Sequence, residues 1–133
     1  MKLSHIAIAC PSIQVVAEKL NALGLTIKER HTVASEKVRA AMLPVESSSE
    51  LRIELLEPTT PESPVAKYLA KRPQGGLHHL CFQVDNIETW HKALTDRGIE
   101  VLPPGVRKAA RGQALFIHPK EMGGCLVELE QIS

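Results

Sequence analysis

The chain has 133 residues, of which 44% are hydrophobic and 23% charged, a balance that predicts one soluble domain over residues 1–133 with a buried core. A net charge of +1, four aromatic residues and no apolar run near ~18 residues argue against nucleic-acid and membrane partners. Three cysteines without metal-type spacing, and a start without an apolar leader, predict free thiols in a cytoplasmic protein.

The first repeat is predicted to run from residue 1 to 58 and to have β-α-β-β-β order. Ser12 is a suitable N-cap for a helix whose apolar positions recur at helical spacing up to Gly24. A turn is expected at Ser47–Ser49. The four predicted strands of this repeat are Leu3–Ala9, Leu25–Val33, Lys37–Leu43 and Leu51–Glu57.

A connector over 59–76 contains prolines, a short helical pattern at Val65–Lys71, and a glycine pair at its end. The second repeat, 77–133, again predicts β-α-β-β-β order. Its helix is capped by Asp85 or Asn86 and stops at Gly98. Residues 103–112 are predicted to form a long basic turn. The four strands are predicted at His78–Val84, Ile99–Leu102, Gln113–His118 and Cys125–Gln131.

The two repeats match in one constant register of 74 positions, without a gap. The matched polar pairs are His5 with His79 and Glu54 with Glu128. Apolar and turn residues match in the same register, among them Ile13 with Ile87, Leu20 with Leu94 and Gly24 with Gly98. Two copies are too few for a solenoid. The pattern therefore predicts an α+β fold in which two βαβββ repeats form a curved eight-stranded mixed sheet with two helices outside it.

The repeated polar residues are one histidine and one glutamate per copy: His5, Glu54, His79 and Glu128. If the first and last strands of each repeat are neighbours, all four side chains converge, and their imidazole and carboxylate groups suit a divalent first-row metal. Each residue taken alone has a simpler explanation, a structural hydrogen bond or an exposed strand charge. The register match of both pairs favours the metal site.

Other polar residues leave alternatives open. Because strand side chains alternate, His78 lies on the face opposite His79 and is not counted as a ligand. His118 is either close to the site or a turn residue before Pro119. The basic cluster of Arg107, Lys108 and Arg111 suits either a phosphate site or a solvated loop.

Several runs of the sequence resemble the methylmalonyl-CoA epimerase family of the vicinal oxygen chelate superfamily, which includes the glyoxalases and dioxygenases. The resemblance covers essentially the whole chain. The runs are Leu3–Pro11 (LSHIAIACP), Ile53–Pro58 (IELLEP), Ser63–Leu69 (SPVAKYL), Gly76–Leu80 (GLHHL), Phe116–Lys120 (FIHPK) and Gly123–Leu129 (GGCLVEL).

The resemblance implies an epimerase that inverts the α-carbon of methylmalonyl-CoA through a metal-stabilised enolate. It implies one divalent ion on His5, Glu54, His79 and Glu128: Co²⁺ or Mn²⁺ first, with Zn²⁺, Ni²⁺ or Mg²⁺ as alternatives. Some members have Gln where Glu54 stands. Glu128 is the first candidate for the base. Arg39 occupies the matching position of a third-strand Glu base described in part of the family. The expected partner is an acyl-CoA, and the expected assembly is a homodimer.

Three other functions remain open at this point. A glyoxalase-I-like lactoylglutathione lyase shares the ligand layout. An iron dioxygenase uses two histidines and one carboxylate, and a fourth protein ligand would leave it too few open positions. A non-enzymatic small-molecule-binding protein of this fold would need neither His/Glu pair, so metal analysis separates it from the enzymes.

Overall fold

The computed structural model describes residues 1–46 and 49–133, so most of the predicted turn at Ser47–Ser49 falls outside the described residues. The described residues divide into two compact units. The first unit is His5–His78, and the second combines Met1–Ser4 with His79–Ser133. The organisation as one domain stays a prediction. None of the helices formed by 1–46 and 49–133 has the length and apolar character needed to cross a membrane.

The first repeat and the connector form four strands and two helices. Strand β1 pairs in parallel with β4, β4 pairs antiparallel with β3, and β3 pairs antiparallel with β2. The short helical pattern in the connector forms a full helix, α2. The elements are β1 (Lys2–Ala9), α1 (Ile13–Asn21), β2 (Glu29–Val33), β3 (Val38–Pro44), β4 (Arg52–Pro58) and α2 (Pro64–Lys71).

The second repeat has the same pairing plan. Strand β5 is parallel to β8, β8 is antiparallel to β7, and β7 is antiparallel to β6. The predicted β-α-β-β-β order of each repeat is therefore observed. The elements are β5 (Gly76–Gln83), α3 (Ile87–Asp96), β6 (Arg107–Ala109), β7 (Gly112–Ile117) and β8 (Leu126–Ile132).

Both long helices begin where the sequence predicts. The Ser12 hydroxyl accepts a hydrogen bond from the backbone N–H of Val15, and the Asn86 side chain accepts one from Thr89. These bonds satisfy N–H groups that lack partners in the first turn of a helix. Asn86, rather than Asp85, is thus the cap of α3.

A second cap on each helix comes from the last strand of the same repeat. Glu57 Oε1 accepts a hydrogen bond from the Ile13 N–H at 2.9 Å, and Gln131 Oε1 accepts one from the Ile87 N–H at 2.8 Å. These four residues follow the 74-residue register, so each repeat fixes its helix to its own sheet in the same way. Local sequence rules did not find these caps because the partners are 44 residues apart.

Six of the predicted strands agree with the structure to within two residues at each end, and the other two are wrong. The strand predicted at Leu25–Val33 begins only at Glu29. The reason is that the Leu25 N–H donates a hydrogen bond to the Leu20 carbonyl of α1, so residue 25 is still part of the helix end. The strand predicted at Ile99–Leu102 is absent from the described structure, where Val101 makes a single bridge to Ile117. The following prolines carry no N–H with which to extend a ladder. Strand β6 forms instead inside the predicted basic turn.

In each unit the helix that follows the first strand of the repeat, α1 or α3, packs on one face of the sheet, but not with every predicted residue. In the first unit Ile13, Val16 and Leu20 of α1 pack on a buried cluster that includes Leu43 and Leu55. Val15, predicted to be on the apolar stripe, is 53% exposed. Trp90 of α3 is also partly exposed, whereas Ile87 is fully buried. The apolar stripes are therefore narrower than the sequence pattern suggests.

All three cysteines are free thiols, as predicted. Cys10 and Cys81 are buried and Cys125 is partly exposed. Burial, with a smaller contribution from the nearby Glu57 charge, raises the pKa of Cys10 from 9.0 to about 11. The Cys10 thiol is therefore neutral at physiological pH, and a neutral thiol is a poor nucleophile.

We expect iodoacetamide at pH 8 to label only Cys125 in the native protein and all three cysteines after denaturation, as read by intact mass. Because the folded-state pKa of Cys10 is raised, the stability from its neutral thiol is complete below pH 9 and is lost as the pH rises toward about 11. Cys10 labelling should accelerate over that window.

A reducing agent provides the control for the free-thiol assignment. Since no disulfide is present among the described residues, the melting temperature should be the same with and without reductant. Loss of a native disulfide typically costs about 2–5 kcal/mol. A drop of several degrees in reductant would therefore contradict the assignment.

Candidate metal centre

The first His/Glu pair lies in the first unit, with His5 in the middle of β1 and Glu54 in the first half of β4. Ala7 stands beside Glu54 in the parallel ladder, and His5, two positions before Ala7, shares its face. The His5 Nε2 atom is 3.6 Å from Glu54 Oε1, and both residues are buried. The prediction that the first and last strands of a repeat are neighbours is therefore confirmed for this repeat.

The second pair lies in the second unit and repeats this geometry. Cys81 stands beside Glu128 in the β5–β8 ladder, the same register as Ala7 beside Glu54 after a shift of 74 positions. His79 Nε2 is 3.3 Å from Glu128 Oε1. The side chains of His79 and Glu128 are 8% and 13% exposed. Each repeat thus builds one imidazole–carboxylate pair, which is buried in the first repeat and has a partly buried carboxylate in the second.

The chemistry of each pair fits a divalent cation. An imidazole nitrogen and a carboxylate oxygen point at each other at 3.3–3.6 Å, a separation compatible with bonds of roughly 2.0–2.2 Å from both atoms to one ion. Burying a carboxylate is costly unless a positive charge or hydrogen bonds compensate it, and a bound cation would provide that charge. The convergence of both pairs on one ion stays a prediction.

Glu130, on the same face of β8 as Glu128, is held by two other side chains of the second unit. Ser4 Oγ donates a hydrogen bond to Glu130 Oε1 at 2.7 Å, and Arg111 Nη2 donates to the same oxygen at 3.2 Å. The period-two pattern predicts the face of Glu130 but not these partners, which come from distant parts of the chain. Arg111 is thereby committed to an ion pair with Glu130.

Arg39 lies on the wrong face of β3 to act beside Glu54, so its sequence assignment to the site is wrong. Arg39 stands opposite Glu57 in the ladder, and their side chains form an ion pair at 2.7 Å. The residue opposite Glu54 is Met42, and the next on that face is Ala40. Neither of these two side chains can accept a proton, so this part of β3 supplies no base beside Glu54.

Two further histidines have structural contacts. The His78 ring packs edge-on against Tyr68 at 5.2 Å, away from the His79 face as predicted. His118 Nδ1 accepts a hydrogen bond from the Lys120 N–H at 3.0 Å and caps a short 3₁₀ turn at Pro119–Glu121. This contact supports the interpretation of His118 as a turn residue rather than as a residue of the metal site.

A surface cavity of about 370 Å³ lies in the first unit beside α1. None of the four predicted metal ligands lines it. Its walls are formed by Gln14, Ala17, Glu18, Asn21, Leu25, Thr26, Ile27 and Arg30. These residues belong to α1, the segment after it and the start of β2, so this cavity is separate from the His/Glu pairs.

Comparisons with known proteins agree with this geometry. Residues 4–116 match the model of the glyoxalase/bleomycin resistance protein/dioxygenase superfamily. An ethylmalonyl-CoA/methylmalonyl-CoA epimerase of Cereibacter sphaeroides is 37% identical over 98% of both chains. The human mitochondrial methylmalonyl-CoA epimerase is 36% identical over 98% of this chain and 73% of its own length.

A solved structure extends the comparison to the fold. The methylmalonyl-CoA epimerase of Streptomyces coelicolor, in complex with 2-nitronate-propionyl-CoA, superposes with a TM-score of 0.88 at 31% identity. The match covers all of this chain and 98% of that one. The chain therefore belongs to the glyoxalase/bleomycin resistance protein/dioxygenase superfamily and, within it, to the methylmalonyl-CoA epimerase family.

Family membership confirms three of the predictions: the resemblance itself, the α+β fold class with two βαβββ repeats and an eight-stranded mixed sheet, and the epimerase class of enzyme. The superfamily typically uses a divalent metal, in agreement with the chemistry of the His/Glu pairs. The identity of the ion and the residues that bind it remain predictions.

Proposed function

We propose that this protein is a metal-dependent epimerase that inverts the α-carbon of methylmalonyl-CoA through an enolate. The observation that carries the proposal is the pair of buried His/Glu contacts at the same register in both repeats. The names of the C. sphaeroides and human relatives support the same reaction. The first of these names also includes ethylmalonyl-CoA, which makes that thioester a second substrate to test.

The proposed metal ligands are His5, Glu54, His79 and Glu128, holding one divalent ion, with Co²⁺ or Mn²⁺ as the first candidates. Support comes from the residue types and from the distances within each pair. When bound, such an ion supplies Lewis-acid stabilisation of the negative charge that develops when the α-proton leaves. These side chains would hold the ion with two imidazole nitrogens and two carboxylates.

Glu128 is the proposed base. Its carboxylate would take the proton from the α-carbon, the C–H electron pair would enter the enolate, and a proton supplied by water on the opposite face would return to the carbon to invert the centre. The Glu128 side chain lies against His79 and is 13% exposed, so its carboxylate is partly shielded from water. Glu130 is a weaker candidate, because a hydroxyl and a guanidinium already bind its Oε1 atom.

The proposal also covers the binding partner, the oligomeric state and the cellular compartment. An acyl-CoA is the small-molecule partner, a homodimer is the assembly and the cytoplasm is the compartment. The free thiols support a reducing compartment. Light scattering during size exclusion should give a mass of about twice 14.6 kDa, and a mass of one chain would contradict the dimer.

Solvent deuterium incorporation tests the reaction. The metal-loaded protein in D₂O should exchange the α-hydrogen of methylmalonyl-CoA for deuterium, observed by NMR as loss of the α-proton signal, because inversion requires the proton to leave the carbon. The hemithioacetal of methylglyoxal and glutathione serves as the comparison substrate. Turnover of that adduct without exchange into methylmalonyl-CoA would favour the lyase over the epimerase.

A further inference from the structure

Arg107 shares a sheet face with the second His/Glu pair. In the ladders of the second unit, Arg107 stands opposite Ala114, and Ala114 stands opposite Glu130. Residues directly opposite in antiparallel strands share a face, and Glu128 lies two positions before Glu130 on that same face. Ala114, which lies between Arg107 and Glu130 on this face, is buried and has only a methyl side chain.

One aromatic ring connects the Arg107 guanidinium to the metal-binding pair. The Arg107 Cζ atom lies 4.8 Å from the centre of the Phe116 ring, a cation–π contact. The Phe116 ring is edge-on to the His79 imidazole, with centroids 6.4 Å apart and planes at 86°. Phe116 also stands opposite Glu128 in the ladder. One aromatic ring therefore separates Arg107 from the place where a ligand would bind at His79 and Glu128.

Among the described residues, Arg107 has no anionic partner, unlike Arg39 and Arg111. Arg39 pairs with Glu57 and Arg111 pairs with Glu130. Arg107 Nη2 donates to the carbonyl of Pro103 at 3.2 Å, and its buried Nε atom has no hydrogen-bond partner within residues 1–46 and 49–133. A guanidinium has five N–H donors in a planar fork that matches a carboxylate, and most of them remain available here.

We propose that Arg107 binds the free carboxylate of the acyl group, so that the enzyme selects α-carboxyacyl-CoA thioesters over simple acyl-CoA thioesters. This inference rests on the function proposed above. The carboxylate is bonded to the α-carbon itself, whereas the phosphates of CoA are separated from it by the whole pantetheine arm. A guanidinium one ring away from His79 is therefore placed for the carboxylate. The Phe116 contact holds the plane of the fork.

Calorimetric titration of the metal-loaded protein tests this role. Arg107→Met keeps an apolar stem on the Phe116 ring but removes the donors. We expect the variant to bind methylmalonyl-CoA about 10–100-fold more weakly, as for loss of a charged hydrogen bond. Binding of propionyl-CoA, which lacks the carboxylate, should stay within about twofold. Lys108→Met, an exposed neighbour on the same strand, is the matched control and should leave both affinities unchanged.

The outcomes separate the alternatives. Equal weakening for methylmalonyl-CoA, propionyl-CoA and free CoA would overturn the inference and place Arg107 at the CoA phosphates. Unchanged affinity for all three would also overturn it. If the methionine variant does not fold, Arg107→Lys, which keeps the charge but not the fork, should show a smaller loss confined to methylmalonyl-CoA. Failure of the wild-type protein to epimerise methylmalonyl-CoA would instead contradict the proposed function itself.

Discussion

Glu128→Gln is expected to retain most of its metal and to lose epimerisation by about 10²–10⁴-fold, the usual contribution of a general base. Glutamine keeps an oxygen ligand and nearly the same shape, but its amide cannot take a proton from carbon at neutral pH. In the wild-type protein, Glu128 Oε1 lies 3.3 Å from His79 Nε2, and the glutamine oxygen is expected to occupy the same position. Metal content by elemental analysis and turnover by NMR are the two measurements.

Glu54→Gln is the matched control, because Glu54 holds the same register position in the other repeat. The family resemblance allows Gln at this position, so this variant should keep both its metal and its turnover. A large activity loss in Glu54→Gln together with normal activity in Glu128→Gln would transfer the role of the base from Glu128 to Glu54.

Deuterium exchange into each enantiomer of the substrate refines the result for Glu128→Gln. If exchange from both enantiomers falls with inversion, Glu128 serves both faces of the α-carbon. If exchange from one enantiomer survives while inversion stops, Glu128 serves only the other face, and a second base acts elsewhere. Near-normal turnover with bound metal would leave Glu128 as a ligand only.

His79→Ala is expected to lower the metal content from about one divalent ion per chain to nearly none, and turnover with it. His79 is buried, and its Nε2 atom faces Glu128. Alanine therefore removes the imidazole ligand of this pair. A ligand that binds only the folded protein raises its stability. Added metal should therefore raise the melting temperature of the wild-type protein but not that of the variant.

His78→Ala is the control for this change, since it alters the adjacent residue of the same type. The His78 ring packs against Tyr68 rather than beside Glu128, so its loss should leave the metal content unchanged. Far-UV circular dichroism verifies that both variants remain folded. Full metal content in His79→Ala would rule out His79 as a ligand, and with it the proposed metal site.

The sequence alone determined the features that depend on local periodicity. The period of two along β5 separated His79 from His78, and the 74-residue register matched His5 with His79 and Glu54 with Glu128. The caps at Ser12 and Asn86 were also predictable, because an N-cap bonds to a residue only three positions away.

Only the tertiary structure decided which distant side chains meet. It paired Arg39 with Glu57 on the face opposite Glu54, bound Glu130 to Ser4 and Arg111, and formed β6 at Arg107–Ala109 within a predicted turn. Each of these depends on a partner strand whose register no local pattern encodes. A one-residue shift in register reverses the face of every side chain on a strand, which is why a base counted onto position 39 was placed on the wrong side of the sheet.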